Sequence, residues 1–522
     1  MLGGLKYVET GYHQDLQCME GTRKTLLKDI MDWVANQTAQ GDAVQGNIFW
    51  LYGLPGIGKT SLAHSICASL HDREQLAGAF FCRRDDVKLS EPRNILLTLT
   101  YKLARTFPPF RRIVANRIRN DPHLTSESMK DSLFLDFIRA VPHHPNRAFV
   151  FVIDALDECG DTRNRPSILK ALTDASRDAS WLKIIITSRP EADIERFFDS
   201  LPQLSHLRHD LARDEEASFD LRTFAQREFN LVASQCYLAT PWPEEVLFNN
   251  VLSRANGLFI FIKTLVLELE HCKDPTEFLE ATMNNSDGTG LNSLYGLYFS
   301  VLKARIPPND NEFRRVIGVI LATYRPLREE AIAELAEVRP HLVQRWMDDL
   351  SSLLCRDDGA NGGIRVQHLS ISDFFISNGC HLDYRVNLGD ANMHVGIACL
   401  KIMIHRLHFN ICKLDDSRLA NADVQDLKSR IMENIPDSLQ YSCTYWSNHL
   451  CFSRSQGAFG MLKEFFNGLY PLFWIEVLSI MGIVPIGNPS LRRVTSWVMV
   501  SAATGFGLFS FTVMIIYYRV MI

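Results

Sequence analysis

The residues GLPGIGKT at 53–60 carry the chemistry of a phosphate cradle. They fit G-x-x-x-x-G-K-[ST] without a mismatch. Gly53, Gly56 and Gly58 let successive backbone N–H groups turn inward with no Cβ in the way. Lys59 brings a point charge to the β- and γ-phosphates of a nucleotide, and the Thr60 hydroxyl can ligate Mg²⁺. The helix that opens at Thr60 and Ser61 adds its N-terminal partial positive charge at the same spot, which places Ser61 among the phosphate-binding positions.

Two more segments end in groups suited to the same site. In AFVFVIDALDEC, Asp154 closes an apolar strand, where a parallel sheet presents ligand-binding groups, and can hold Mg²⁺ through water. Asp157 and Glu158 follow on the adjoining loop, within reach of an attacking water. The run LKIIITS leads into Arg189 and Pro190, so that hydroxyls and a guanidinium stand where a γ-phosphate can be sensed or stabilised. Plainer readings exist for each: a solvated acidic loop for the carboxylates, a surface ion pair for Arg189.

Positioning these groups takes a sheet. NIFWLY, GAFFCR, AFVFVID, LKIIITS and a weaker SHLRHDL are short apolar runs separated by segments long enough for crossover helices, which predicts a parallel α/β sheet over 47–211 covered on both faces. The preceding residues, 1–46, hold one amphipathic stretch, TRKTLLKDIMDWVANQT, a lead-in helix. A helical domain is expected over 212–290, a compact helical unit ending in short strands over 291–385, and a C-terminal helical extension over 386–482. The predicted fold class is thus an α/β P-loop NTPase followed by helical domains, the one over 291–385 ending in short strands.

Residues 494–518 are uncharged and flanked by Arg492, Arg493 and Arg519, a candidate transmembrane helix at about 1.5 Å rise per residue against a hydrocarbon core of about 30 Å. A buried final helix reads the same way. The earlier run YPLFWIEVLSIMGIV contains Glu476 between Pro471 and Pro485 and suits a core helix better.

With 522 residues the chain has room for several domains, and its net charge of −5 argues against a dedicated nucleic-acid binder, which needs a basic surplus. Twelve cysteines without a C-x-x-C pair, mostly in apolar surroundings, suit buried thiols in a reducing compartment. No signal peptide opens the chain, so a cytoplasmic location is expected, with the tail as a membrane anchor. Cys399, His405, His408 and Cys412 do not share one helical face, so a packed helix is favoured there over zinc. Arg111, Arg112, Arg117 and Arg119 read as a solvated helix face. No G-x-S-x-G, H-E-x-x-H or N-K-x-D motif occurs.

GLPGIGKT, FFCRRD, VFVIDALDEC and IIITSRPE, in this order and at these gaps, resemble the NACHT family of STAND signal-transduction NTPases, nearest to its fungal, nephrocystin-like branch. CMEGTRKTLLKDIMDW resembles that branch's lead-in, ANGLFIFIKTL and LATYRPLREEAIAEL its helical and winged-helix regions, and VQHLSISDFF its winged-helix histidine motif. The resemblance implies ATP or ADP as the nucleotide, GTP being open, with Mg²⁺. It implies phosphate and metal binding by Gly58, Lys59, Thr60 and Asp154, water positioning by Asp157 or Glu158, a sensor role for Arg189, and an ADP contact by His368. A core histidine satisfied by backbone is the other reading of His368. The function so implied is a switch with slow NTP hydrolysis, closed with ADP and open and homo-oligomeric with ATP. A P-loop kinase or efficient NTPase, and a membrane-tethered scaffold that binds ATP without signalling, are the alternatives. In one respect the chain departs from relatives of the wider class: Phe259 follows Gly257 and Leu258, where many carry a proline that touches adenine.

Overall fold

The computed structural model describes residues 7–35, 46–120, 131–141, 147–202, 205–214, 216–285, 288–357, 362–416, 419–452 and 456–502. The chain divides into two compact units, 1–297 and 298–522.

The first unit is built on strands β1 (Ile48–Tyr52), β2 (Leu76–Phe81), β3 (Phe149–Asp154), β4 (Leu182–Ser188) and β5 (His206–Asp210), all at the expected segments. They pair in parallel in the order β2-β3-β4-β1-β5. The strand period of two explains why both faces are apolar. Ile48, Trp50, Phe151, Ile153, Ile184 and Ile186 point to one face, under helices Pro92–Thr106, Arg165–Asp178 and Ala192–Asp199. Phe49, Leu51, Val150, Val152 and Ile185 point to the other, under the lead-in helix Lys24–Ala35 and helix Lys59–Asp72.

The order places β4 between β1 and β3, and the chain leaves β1 in one direction for β2 and returns beside it as β5. Register then aligns the carboxyl ends: Tyr52 lies against Ser188, Ile153 against Ile186, and Phe81 against Asp154. The segments following β1, β3 and β4 therefore open on one edge of the sheet, as ligand-binding loops of open α/β sheets do. Beyond β5 come helices Ala217–Gln235, Glu245–Ala255, Phe259–His271 and Pro275–Asn285, and Phe229 of the first meets Phe248 of the second and Trp242 of the connection between them.

In the second unit, helices Asn311–Ala322, Glu329–Ala336 and Pro340–Asp349 precede an antiparallel pair, β6 (Leu354–Arg356) and β7 (Ile364–Val366), to which Leu327 adds a bridge at Ile364. That is the element order of a winged helix. Helices Leu388–Arg406 and Asp437–Leu450 then approach so closely that a Cβ on Gly396 would sit 3.2 Å from the Leu450 backbone nitrogen. Glu476 lies on helix Tyr470–Ile480 and accepts the N–H groups of Asn410 and Ile411, as suits a core helix.

The candidate membrane segment begins inside a packed helix. Helix Gly487–Ala502 starts before residue 494 and buries Val494, Trp497 and Val498, with Trp497 stacked on Phe459 at 4.6 Å. Residues 503–518 of the expected span lie outside the described residues. Among the described residues no helix is long and apolar enough to cross a membrane.

Candidate functional site

The phosphate loop hangs between β1 and helix Lys59–Asp72. Its root is tied to the sheet where the Gly53 N–H donates to the Ser188 carbonyl at 3.3 Å, and the Trp50 indole holds the Ser188 hydroxyl at 2.8 Å. Gly56 and Gly58 have φ of +80° and +96°, the left-handed region that only glycine enters cheaply. Gly58 is also the residue that starts the helix. Lys59 is half-buried and its Nζ donates to the Gly53 and Leu54 carbonyls at 2.7 and 2.8 Å. Burial pushes its ammonium down to about 8, and the Arg189 guanidinium adds to this, while Asp157, Asp154 and Glu158 oppose it. Those four neighbours are the strand-end residues singled out in the sequence, so the fold brings them around one lysine.

Asp154 ends β3 and is 2% exposed. Thr187 of β4 donates its hydroxyl to Asp154 Oδ1 and receives the Ala155 N–H at 2.9 Å. Burial raises the Asp154 carboxyl, against hydrogen bonds from Thr187 and Thr60 and the charge of Lys59. The expected metal pair, Thr60 and Asp154, is thus within hydrogen-bond reach.

The chain then turns sharply at Ala155, φ +54°, and the two acids that follow part ways. Asp157 turns inward: Oδ1 accepts the Arg189 N–H at 3.0 Å and Oδ2 lies 3.3 Å from the Arg189 Nε. Glu158 is half-buried and takes the Arg84 N–H at 3.3 Å. Burial, with Asp157 beside it, pushes its carboxyl up to about 8. Of the two candidates for positioning water, Asp157 is occupied by Arg189, while Glu158 holds the Arg84 N–H.

Two buried arginines went unread in the sequence. Arg165, at the start of its helix, pairs with Asp193 at 2.8 Å and also donates to the carbonyls of Asp157 and Cys159, so it fastens the acidic turn from below. Arg23, in the lead-in, is 4% exposed and donates to the Ile57 carbonyl inside the phosphate loop at 3.1 Å. Arg165 lies outside the motifs, and Arg23 sits inside the lead-in segment without a role read for it. A signal does exist in principle: an arginine among apolar residues has to find acceptors.

His368, in the second unit, caps helix Leu369–Ile376, its Nδ1 accepting the Ser370 N–H at 3.1 Å. Cys399 is buried in helix Leu388–Arg406, and among the described residues no group of three or more His, Cys, Asp or Glu is placed to hold a metal ion. Arg111, Arg112, Arg117 and Arg119 are exposed along helix Pro108–Asn120.

The residues present suit a nucleotide with Mg²⁺. The left-handed glycines let the loop turn tightly, Lys59 is held by the Gly53 and Leu54 carbonyls with carboxylates nearby, and one buried carboxylate stands beside a hydroxyl, a donor set typical of a cation that keeps several waters and binds phosphate.

Residues 21–189 match the family described as Nephrocystin 3, N-terminal. No curated protein matches the chain. Among solved structures, a signal transduction ATPase with numerous domains (STAND) with a tetratricopeptide repeat sensor from Pyrococcus horikoshii is similar at 13% identity and TM-score 0.40, over 95% of this chain and 66% of that one. The chain therefore spans just under two thirds of that protein's length. A Walker-type ATPase of Pyrococcus abyssi follows at 13% identity and TM-score 0.33, over 72% of this chain and 99% of that one. The Aeropyrum pernix ORC1 protein, solved in complex with DNA, is 12% identical with TM-score 0.30, over 69% and 94%. The family match falls on the lead-in helix, the phosphate loop and the strand-end acids, so residues 21–189 are similar to the N-terminal region of nephrocystin 3 and have the parallel sheet and glycine loop of a P-loop NTPase.

Proposed function

We propose that the chain is a nucleotide-operated switch of the fungal NACHT type, closed with ADP and released by ATP to form homo-oligomers. The backbone amides of the glycine loop with Lys59, Thr60 and Ser61 hold the phosphates. Thr60 and Asp154 serve Mg²⁺, which when bound neutralises charge on the phosphate oxygens. Glu158 positions the attacking water, and Arg189, steadied by Asp157, senses the γ-phosphate. His368 is the proposed sensor of ADP. Hydrolysis is slow, as suits a timer. ATP and ADP are the proposed pair, and the proposed setting is the cytoplasm with the C-terminal apolar tail as a membrane tether.

The observation that carries this reading is a joint between cradle and helices. The Ile260 N–H, in the first turn of helix Phe259–His271, donates to the Gly56 carbonyl at 3.2 Å, and a Cβ on Gly56 would lie 2.1 Å from Ile260 Cγ2. A loop that merely bound nucleotide for stability would need no such close fit to the following domain. Switching requires nucleotide contacts that differ between states, and this joint is where a change in the loop reaches the helices.

The test is the nucleotide that co-purifies with the chain, identified by mass spectrometry, with particle mass measured by light scattering in ADP and in a non-hydrolysable ATP analogue. Retained ADP, lost in Lys59→Ala, and assembly only with the ATP analogue are expected. An empty wild-type protein, or turnover above about one per second without assembly, would overturn the switch.

A further inference from the structure

The lead-in arm does more than cover the sheet. Val8, Thr10, His13 and Cys18 follow the edge of β2 and the flank of helix Lys59–Asp72, bonded to Thr98, Phe81, His64 and Ser65. The arm then turns at Gly21, φ +97°, and Arg23, φ +55°, and drives the Arg23 side chain behind the phosphate loop. There the guanidinium has four neighbours from three parts of the unit. Nη2 donates to the Ile57 carbonyl at 3.1 Å and Nη1 to Asp214 at 2.6 Å. Asp220 lies 3.8 Å from Nε and also accepts the Arg23 N–H at 3.0 Å. The Phe259 ring lies under the guanidinium at 5.7 Å.

The peptide geometry makes this contact directional. In a trans peptide, C=O and the next N–H point opposite ways. A donor holding the Ile57 carbonyl from outside therefore aims the Gly58 N–H toward the hollow of the loop. The Ile260 N–H on the Gly56 carbonyl does the same for the Ile57 N–H. Two consecutive phosphate-facing amides are thus set by groups outside the motif.

We infer that Arg23 is a positioning residue for the phosphate cradle, and that through Asp214 and Asp220 it makes nucleotide affinity depend on the first helix after the sheet. This rests on the nucleotide-binding reading of the loop. It adds that the cradle is aimed from outside by the lead-in arm. Pre-aimed amides need no reorganisation when phosphate arrives, and a charge-assisted bond to the carbonyl of such a peptide is the kind whose loss is felt as ten- to hundredfold in affinity, about 1.4–2.7 kcal/mol. By linkage, bound nucleotide strengthens the hold of the arm on the helices to the same degree.

The experiment measures dissociation constants of a fluorescent ADP for the full chain, with thermal midpoints taken in parallel. Arg23→Gln is expected to weaken binding ten- to hundredfold, and Arg23→Lys, which reaches one acceptor but not both, to restore part of it. Phe110→Leu, a core change across the sheet from the loop, supplies a variant of lowered midpoint with unchanged affinity. Should Arg23→Gln fail to fold, Asp214→Asn, which touches Arg23 and not the loop, is expected to weaken binding several-fold. Unchanged affinity in the folded Arg23 or Asp214 variant, or an equal loss in Phe110→Leu, would overturn the inference. A wild-type chain that binds no ADP would instead remove the reading beneath it.

Discussion

Gly56→Ala tests the joint between loop and helices in a single methyl group. The new Cβ would have to occupy φ +80°, which costs an L-residue about 1–2 kcal/mol. It would also meet Ile260 Cγ2 at 2.1 Å and Cβ at 2.8 Å, an overpacking of the kind that costs about 1–3 kcal/mol. The sum is about 2–5 kcal/mol, in the range of a severe core substitution. The two parts separate in a double-mutant cycle. Ile260→Ala alone removes a half-buried side chain, at about 1–2 kcal/mol, somewhat under half the cost of a fully buried one. Combined with Gly56→Ala it takes away the 2.1 Å contact but keeps the Cβ at 2.8 Å and the strained φ. The double variant therefore recovers only part of the overpacking cost and is expected to be about 1–2 kcal/mol more stable than the sum of the singles, a coupling above the scatter of independent sites. Urea unfolding followed by tryptophan fluorescence, with Trp50 in the strand beside the loop, measures it. Additive singles, or a neutral Gly56→Ala, would mean that the loop is not wedged against this helix and that the joint is not a path for switching.

Two further expectations follow from the same site. Arg165→Ala leaves Asp193 buried and unpaired and should cost about 3–5 kcal/mol in unfolding free energy, whereas Arg165→Met with Asp193→Leu should recover most of it. For Glu158 the folded carboxyl sits near 8 and the unfolded one near 4.5, so between those values the folded state holds a proton the unfolded state lacks. Stability contributed by Glu158 is therefore full below about pH 4.5 and lost as pH rises to about 8, a trend that thermal midpoints read across pH and that Glu158→Gln should flatten. If Glu158 positions water, kcat/KM for NTP hydrolysis rises with pH over the same interval, and that limb too is absent in Glu158→Gln.

The strands were legible because burial on both faces leaves unbroken apolar runs, as in FVFVI and LKIII, bounded by polar segments. The phosphate loop was legible because its chemistry is contiguous: glycines, lysine and hydroxyl must follow one another for the backbone to wrap a phosphate. Asp154 was found by its place at a strand end. Which acid does what was not readable. Asp157 and Glu158 are neighbours of the same charge, and only the turn at Ala155 sends one to Arg189 and the other to the Arg84 N–H. Arg23 meets its acceptors across 34, 191 and 197 residues, separations at which no local pattern survives. The apolar stretch from 494 shows the converse. Uncharged residues in helical order suit a bilayer or a protein core equally, and Val494, Trp497 and Val498 find a core in helix Gly487–Ala502.

The same contrast bears on how a binding motif becomes a switch. GLPGIGKT specifies which atoms face a phosphate, but three of its backbone carbonyl and amide groups are held by residues far away: the Gly53 N–H by Ser188, the Gly56 carbonyl by Ile260, and the Ile57 carbonyl by Arg23. Each holder belongs to a different element: the end of a strand, the start of a helix, and the lead-in arm. Any ligand that tightens the loop tightens all three attachments, and any movement of those elements is felt at the loop, because the coupling free energy is one quantity seen from two ends. A motif suspended only from its own strand and helix could bind as well, yet it would have nothing to pull on.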